Sequence, residues 1–244
     1  MLDFNSSVYT LTTTYSRIGN NFATTGGFSA QDLETLSFDA MWFMPLNIKF
    51  THYLHTDRDN ISNTKTTTTK QLNPGGKFSL RLPWDMSLDF GSDMRKRFSI
   101  DKSTNSKTYT HSLNINKDFR IFYSSLGYSK TIVSDKVSPS SERETDTYFL
   151  GLDGNFEIKK VRFSWNFSQD INHDHYKEVN EADFSTTTSL GLKLDFPSTL
   201  SLDAKVSFSD NDYYQNDTDS NTNQYYFSIS RKLKDNLFFD ITYE

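Results

Sequence analysis

Five histidines are the side chains whose chemistry is easiest to test in this 244-residue chain: His52, His55, His111, His173 and His175. A histidine that acts as a general base needs an oriented serine or aspartate partner. Serine and aspartate are so common here that pairing one with a histidine carries no information, and no Gly-x-Ser-x-Gly motif occurs. The sequence therefore predicts that the protein is not an enzyme and has no catalytic residues.

Two stretches carry side chains that bind metals elsewhere. His173-Asp174-His175 follows Asp170, but ligands two residues apart in a predicted loop are a weak signal for a metal site. The acidic stretches 210–212 and 216–219 lack the glycine and glutamate that an EF-hand calcium loop places at positions six and twelve. We expect solvated loops at both places, and we predict no metal site and no cofactor.

The composition is aromatic and at the same time polar. Phe, Trp and Tyr make up 15% of the residues, whereas all hydrophobic residues together reach only 35% and the mean hydropathy is -0.65. Such a chain suits strands with one apolar face better than a conventional core. The formal net charge of -5 argues against a nucleic-acid partner, which would need a basic surface.

A period of two residues dominates the sequence, as in β-strands. Between Phe184 and Phe196 every second residue is apolar or threonine, and the residues between them are polar or glycine. The same alternation returns in many segments, and helical spacing is not sustained anywhere. The pattern predicts an all-β chain of antiparallel up-and-down strands.

The connections between the predicted strands alternate between two kinds. Short turns are predicted near 44–47, 83–85, 116–118, 157–160, 197–199 and 232–236. Long polar loops are predicted near 16–32, 57–66, 95–106, 134–145, 170–183 and 210–223. In an up-and-down sheet this order puts all short turns at one end, as in outer-membrane barrels, whereas Greek-key sandwiches have no reason for it.

The alternation also predicts which side chains face lipid and which face a lumen. Only helices and closed barrels pair every backbone polar group inside a bilayer. The predicted lipid-facing residues are Phe38, Trp42, Leu80, Leu88, Leu150, Phe163, Trp165, Leu190, Leu192, Leu194, Leu202, Val206, Phe227, Ile229, Phe239 and Ile241. The predicted lumen-facing residues are Arg162, Asn166, Lys193, Asp203 and Lys205.

About thirteen strands can be placed from the pattern, and a closed antiparallel barrel needs an even number. We therefore predict a single domain, 1–244, that is a transmembrane β-barrel of about 12–14 strands, truncated or part of a larger barrel. The alternatives are twelve strands, with 2–15 outside the ladder, and fourteen in the intact protein. The start of the chain lacks the basic and apolar regions of a signal peptide, so we expect either that an export signal has been removed or that the chain is a fragment.

The layout resembles bacterial outer-membrane β-barrel proteins of the porin-like kind over nearly the whole chain. A local stretch, Tyr15-Ser16-Arg17-Ile18 with 19–22 and then Asp32-Leu33-Glu34, is similar to one in large outer-membrane proteins of Gram-negative bacteria. There the tyrosine–arginine strand end opens into a loop before the next barrel strand. The resemblance implies an outer-membrane location and a barrel fold, and it identifies no substrate.

Three functions remain open from the sequence. The first is a pore or transport channel for small polar solutes, with outer-membrane lipid and lipopolysaccharide as its surroundings. The second is a non-conducting anchor, adhesin or assembly component that acts through its extracellular loops. The third is a soluble β-rich binding domain.

Overall fold

A computed structural model describes residues 1–18, 32–61, 66–178, 181–213, 218–234 and 237–243, with side chains outside 218–219 and 232–240. The described residues form fourteen strands in one sheet. The strands are β1 (Leu2–Asn5), β2 (Tyr9–Ile18), β3 (Leu33–Met44), β4 (Ile48–Asp59), β5 (Thr69–Leu82), β6 (Met86–Ser99), β7 (Asn105–Asp118), β8 (Phe122–Asp135), β9 (Arg143–Ile158), β10 (Val161–Tyr176), β11 (Glu181–Asp195), β12 (Leu200–Tyr213), β13 (Thr218–Lys234) and β14 (Leu237–Tyr243).

The order of the strands in the sheet is their order in the chain. Every neighbouring pair is antiparallel, so the sheet is an uninterrupted meander. This confirms the predicted all-β, up-and-down architecture. The sheet is not closed, because among the described residues β1 pairs only with β2 and β14 only with β13.

The described residues form a single layer of sheet without a hydrophobic core. Among the described residues, Ala40 is the one hydrophobic residue that is buried, with 6% of its surface exposed. Leu190 and Leu192 in the middle of β11 are 46% and 47% exposed. Neither a second sheet nor a helix covers them within the described chain, as a β-sandwich would require.

Tight turns join the strands at one end of the sheet, which we call the short-turn end. They include 45–47, 83–85, 119–121, 159–160 and 196–199, each four residues or fewer. Of the turn predicted at 232–236, the first three residues end β13, and 235–236 lie outside the described residues. Several of the turns contain two successive residues with positive φ, as in Lys159-Lys160 (49° and 69°), the backbone of a tight hairpin turn. The turn predicted at 116–118 lies three residues later, because β7 continues through Asp118.

Several connections at the opposite end, which we call the far end, are shorter than the polar composition predicts. β6 ends at Ser99 and β7 begins at Asn105, so most of the predicted loop 95–106 is strand. Likewise β10 and β11 occupy most of 170–183, and β12 and β13 extend into 210–223. The prediction was wrong here because these strand ends are mostly polar on both faces. Their side chains therefore show no period of two, although the backbone hydrogen bonds between the strands continue.

The N-terminus also differs from the sequence-based account. Leu2–Asn5 forms a short strand that pairs with β2. The N-terminal segment therefore contains two strands of the sheet, whereas the count of thirteen assumed one. The alternative that left 2–15 outside the ladder is wrong. In the local resemblance, Tyr15 to Ile18 end β2 and Leu33 begins β3, as expected, whereas 19–31 lie outside the described residues.

Candidate functional site

The ladder register decides which side chains share a face of the sheet. Directly paired residues of antiparallel strands point to the same side. One row of such partners runs across five strands, from Phe163 through Leu194, Leu202 and Ile229 to Ile241. All five are apolar, so the sequence alternation of separate strands is in phase across the sheet.

The register brings the predicted lipid-facing residues together on one side, which we call the apolar face. They are Phe38, Trp42, Leu80, Leu88, Leu150, Phe163, Trp165, Leu190, Leu192, Leu194, Leu202, Val206, Phe227, Ile229 and Ile241. The side chain of Phe239 lies outside the described residues. That the apolar face looks towards lipid remains a prediction.

The predicted lumen-facing residues share the other side, which we call the polar face. Arg162, Asn166, Lys193, Asp203 and Lys205 all lie on it. Its side chains contact one another across the strands, for example Ser189 and Ser207 with their hydroxyl oxygens 3.1 Å apart. Such contacts satisfy polar groups within the sheet and leave a hydrophilic surface.

The polar face carries an excess of carboxylates in the half of each strand nearer the far end. Among the described side chains it holds three arginines there, Arg95, Arg97 and Arg143. Eight carboxylates accompany them: Asp57, Asp59, Asp93, Asp135, Asp170, Asp174, Glu181 and Asp183. The far end of this face is therefore strongly anionic.

Aromatic side chains line the apolar face near the short-turn end. Tyr9 stacks on Trp42 with ring centroids 5.2 Å apart, and Phe156 stacks on Phe163 at 5.1 Å. Trp165 lies over Gly154, where an added Cβ would meet its ring at 2.3 Å. Amphipathic rings at one border of an apolar band are typical of a membrane interface.

A second aromatic row at the other border was missed in the sequence. Tyr15, Tyr109 and Tyr148 lie on the apolar face towards the far end, and Tyr128, the ladder partner of Tyr148, lies near the middle of β8. The hydroxyl of Tyr128 donates to Asp146 at 2.6 Å, and that of Tyr15 donates to Glu34 at 2.9 Å. The available signal was the alternation of tyrosine with threonine and serine at strand ends, which resembles loop composition.

The histidines do not converge into a site. His173 and His175 lie within β10, not in a loop, and they point to the apolar face while Asp174 points to the polar face. His52 lies on the apolar face between Trp42 and Phe50, with ring centroids 6.4 and 5.5 Å away.

One histidine has a carboxylate partner on the polar face. The Nε2 atom of His55 lies 2.9 Å from an Asp39 carboxylate oxygen, and its ring stacks on Tyr53 at 5.0 Å.

Within the described ranges, no group of three or more histidine or acidic residues could hold a metal ion. No helix in the described part of the chain is long and apolar enough to cross a membrane.

An ion-pair network stands at the far end of β9. The carboxylate of Glu144 forms ion pairs with the ammonium groups of Lys130 and Lys177, at 2.8 and 2.9 Å. Glu144 lies fourteen residues from Ile158 at the short-turn end, about 34 Å along the barrel axis at a 45° tilt, beyond a band about 25 Å tall. The hydrogen bonds from both lysines lower the pKa of Glu144 to about 2.

We expect acid to weaken this network. Because the folded pKa of Glu144 lies below its ordinary value of 4.5, its stabilisation is complete above pH 4.5 and is lost as pH falls towards about 2. Glu144→Gln should lower the free energy of unfolding by about 0.5–1 kcal/mol at pH 7 and by almost nothing near pH 2. Denaturant unfolding between pH 2 and 7 measures the difference. Glu157→Gln, at the other end of β9, is the control, and an equal pH dependence in both variants would contradict the prediction.

Solved structures with the same strand arrangement are outer-membrane proteins. The siderophore receptor PirA from Pseudomonas aeruginosa matches with a TM-score of 0.65 and 9% identity, over 83% of this chain and 39% of that one. The siderophore receptor PiuA from Acinetobacter baumannii matches with a TM-score of 0.61 and 9% identity, over 96% and 48%. The fold is that of outer-membrane β-barrel proteins. This confirms the resemblance that the sequence layout indicated.

The chain spans less than half the length of these two receptors. No protein-family model matches it, and a search of curated proteins found no relative. At this identity the likeness establishes the fold alone.

The prediction that the protein is not an enzyme was wrong as an exclusion. OmpT, an outer membrane protein of Vibrio cholerae, matches over 86% of this chain and 89% of that one, with a TM-score of 0.40 and 8% identity. The outer-membrane barrel fold by itself gives no ground for excluding catalysis. The scarcity of sequence motifs gives no such ground either.

Proposed function

We propose that the chain forms an integral β-barrel, or a large part of one, in a bacterial outer membrane, and that it surrounds a passage for small polar solutes. The apolar face contacts lipid and the polar face lines the passage. The observation that carries this proposal is the segregation of apolar and polar side chains onto the two faces of a single-layer sheet.

The energetics favour a membrane for such a sheet. In water, the exposed leucines, valines and aromatic rings of the apolar face would lose about 25 cal/mol per Å² of apolar surface relative to burial. Hydrocarbon removes that penalty, and the meander pairs the backbone groups between its strands. A soluble domain would need a second layer over this face, and the described residues provide none.

The dimensions also fit a bilayer. On β4 the apolar face runs from Ile48 to the charged Arg58, ten residues later. At about 3.4 Å per residue and a tilt of about 45°, this span is about 24 Å high, close to the apolar band of outer-membrane barrels. The remaining residues of the longer strands would then project into water.

The siderophore receptors share the fold, and we transfer neither their ligand nor their role to this chain. The polar face carries the proposal of a passage. The polar face offers hydroxyls, amides and charges of both signs, which suit small hydrated solutes. Outer-membrane lipid and lipopolysaccharide are the expected surroundings.

Conductance across a planar bilayer tests the proposal. The protein, refolded from urea into detergent and then added to the bilayer, should insert and produce discrete current steps. Vesicle flotation with zwitterionic lipid, together with circular dichroism, checks insertion and folding separately from conduction.

Each outcome has a distinct meaning. A protein that folds and floats with vesicles but passes neither ions nor sugars would overturn the passage and favour a non-conducting anchor. A chain that stays folded and monomeric without detergent would overturn the membrane location itself.

A further inference from the structure

Four cations come together on the apolar face at the far end of β4 to β7. Each of these four strands contributes one of them. Arg58, Lys70, Lys96 and Lys107 lie on four successive strands, and we call them the basic patch. Their placement rests on the register, since Arg95 and Arg97 beside Lys96 point to the polar face.

The patch contains like charges in direct opposition. Arg58 is the ladder partner of Lys70, and Lys96 is the ladder partner of Lys107. Like charges directly opposite each other destabilise a sheet unless an anion lies between them. Among the described residues no carboxylate forms an ion pair with any of the four.

One carboxylate on this face lies beside the patch. Glu34 is the ladder partner of both Arg58 and Arg17 and also accepts the hydrogen bond from Tyr15, so it offsets one positive charge and leaves the patch cationic. The Nε atom of Arg58 is buried and has no hydrogen-bond partner among the described residues. A buried N–H without an acceptor is destabilising, and a bound anion would supply the acceptor.

A cavity of about 360 Å³ opens at this point of the sheet. Its lining combines Arg58 and Lys70, and the carboxylates Glu34 and Asp57, with the apolar side chains of Leu36, Leu72 and Phe98. The ammonium of Lys96 lies over the Phe98 ring, 5.1 Å from its centroid. With Lys96 and Lys107 beside the cavity, four cations outnumber its two carboxylates, and the apolar side chains lie next to them. This arrangement fits a ligand that is anionic at one end and hydrocarbon at the other.

The depth of the patch fits a lipid headgroup. Arg58 lies ten residues from the short-turn end of β4, about 24 Å along the barrel axis, at the upper edge of the apolar band. Leu72 and Leu54 lie on the same face, two and four residues nearer the short-turn end than the Arg58–Lys70 pair. Phosphates of a lipid in this leaflet would therefore reach the cations while its acyl chains cover the leucines.

We infer that the basic patch binds the phosphate groups of a phosphorylated glycolipid in the outer leaflet. The inference rests on the proposed function, because it requires the apolar face to look towards lipid. Arg58 provides the donor geometry for a phosphate and Lys70, Lys96 and Lys107 provide point charges.

Binding of lipid A to the refolded protein in detergent tests the inference, with dephosphorylated lipid A as the matched ligand. Native mass spectrometry measures both affinities. Lipid A should bind at least about tenfold more tightly than its dephosphorylated form, because charge-assisted hydrogen bonds to phosphate are lost in the latter.

Two charge-removing variants localise the site. Arg58→Gln with Lys70→Gln should reduce lipid A affinity about tenfold, to that of the dephosphorylated lipid. Lys96→Gln with Lys107→Gln should also reduce the affinity. This second variant keeps the test valid if the first one does not fold. Lys159→Gln with Lys160→Gln removes the same charge at the short-turn end and should leave the affinity unchanged.

Three results would overturn the inference. They are equal binding of both lipids, native affinity in both patch variants, and complete displacement of lipid A by millimolar inorganic phosphate. Flotation of the native protein with purely zwitterionic vesicles is measured in parallel. Loss of that flotation contradicts the proposed membrane location, whereas retained flotation without phosphate discrimination contradicts only the lipid site.

Discussion

Val206→Arg is expected to lower the free energy of unfolding in lipid vesicles by about 2–4 kcal/mol, the penalty for an arginine at mid-depth on a lipid-facing strand. Val206 lies on the apolar face of β12 between its partners Leu190 and Tyr225. It is six residues from Leu200 at the short-turn end, about 14 Å along the barrel axis, near the middle of the band.

The next residue provides a matched control. Ser207 lies on the polar face between Ser189 and Gln224, so Ser207→Arg should cost less than about 1 kcal/mol. Urea unfolding followed by the fluorescence of the three tryptophans measures both variants in the same vesicles. If Ser207→Arg were the costly change, the two faces would be reversed. If both changes were cheap, the sheet would not lie in hydrocarbon.

The two faces could be predicted from the sequence because the side-chain period of a strand is two. Phe184 to Phe196 alternates cleanly, and the structure places Leu190, Leu192 and Leu194 on one face. The alternation within each strand was enough to assign its residues to a face, because the ladders between β10, β11 and β12 contain no β-bulge.

The strand ends could not be predicted from the same signal. His173, Asp174 and His175 belong to β10, yet beyond the apolar band neither face needs to be apolar. Ladder hydrogen bonds continue there without any alternation of side chains, so a strand and a polar loop have the same composition. The N-terminal strand was missed for another reason, because Leu2 and Phe4 alone are too few for a period.

The basic patch could not be predicted at all, because it depends on register. Arg58 and Lys70 are separated in sequence by 59–69, and nothing in that stretch states that they become ladder partners. Their pairing follows from how many residues each strand contributes between the short turns. The sequence shows which face of its own strand a lysine occupies. Which residues lie beside it on neighbouring strands is known only from the ladder register.

The polar face predicts that the passage favours cations. Eight carboxylates face three arginines in its far-end half, so the potential there is negative, and each kT of potential enriches small cations about threefold. Asp174 and Asp183 are direct ladder partners on this face. The reversal potential in a tenfold salt gradient should accordingly show a cation-to-anion permeability ratio above about three.

Neutralising that pair tests the origin of the selectivity. Asp174→Asn with Asp183→Asn should move the permeability ratio towards one, because two charges leave the face that we propose lines the passage. Asp210→Asn with Asp212→Asn removes the same charge from β12, but on the apolar face, and should leave the ratio unchanged. Equal shifts in both variants would mean that net charge acts from a distance and that the two faces do not separate lumen from surroundings. A native ratio below one would contradict the anionic lining directly, even in a protein that conducts.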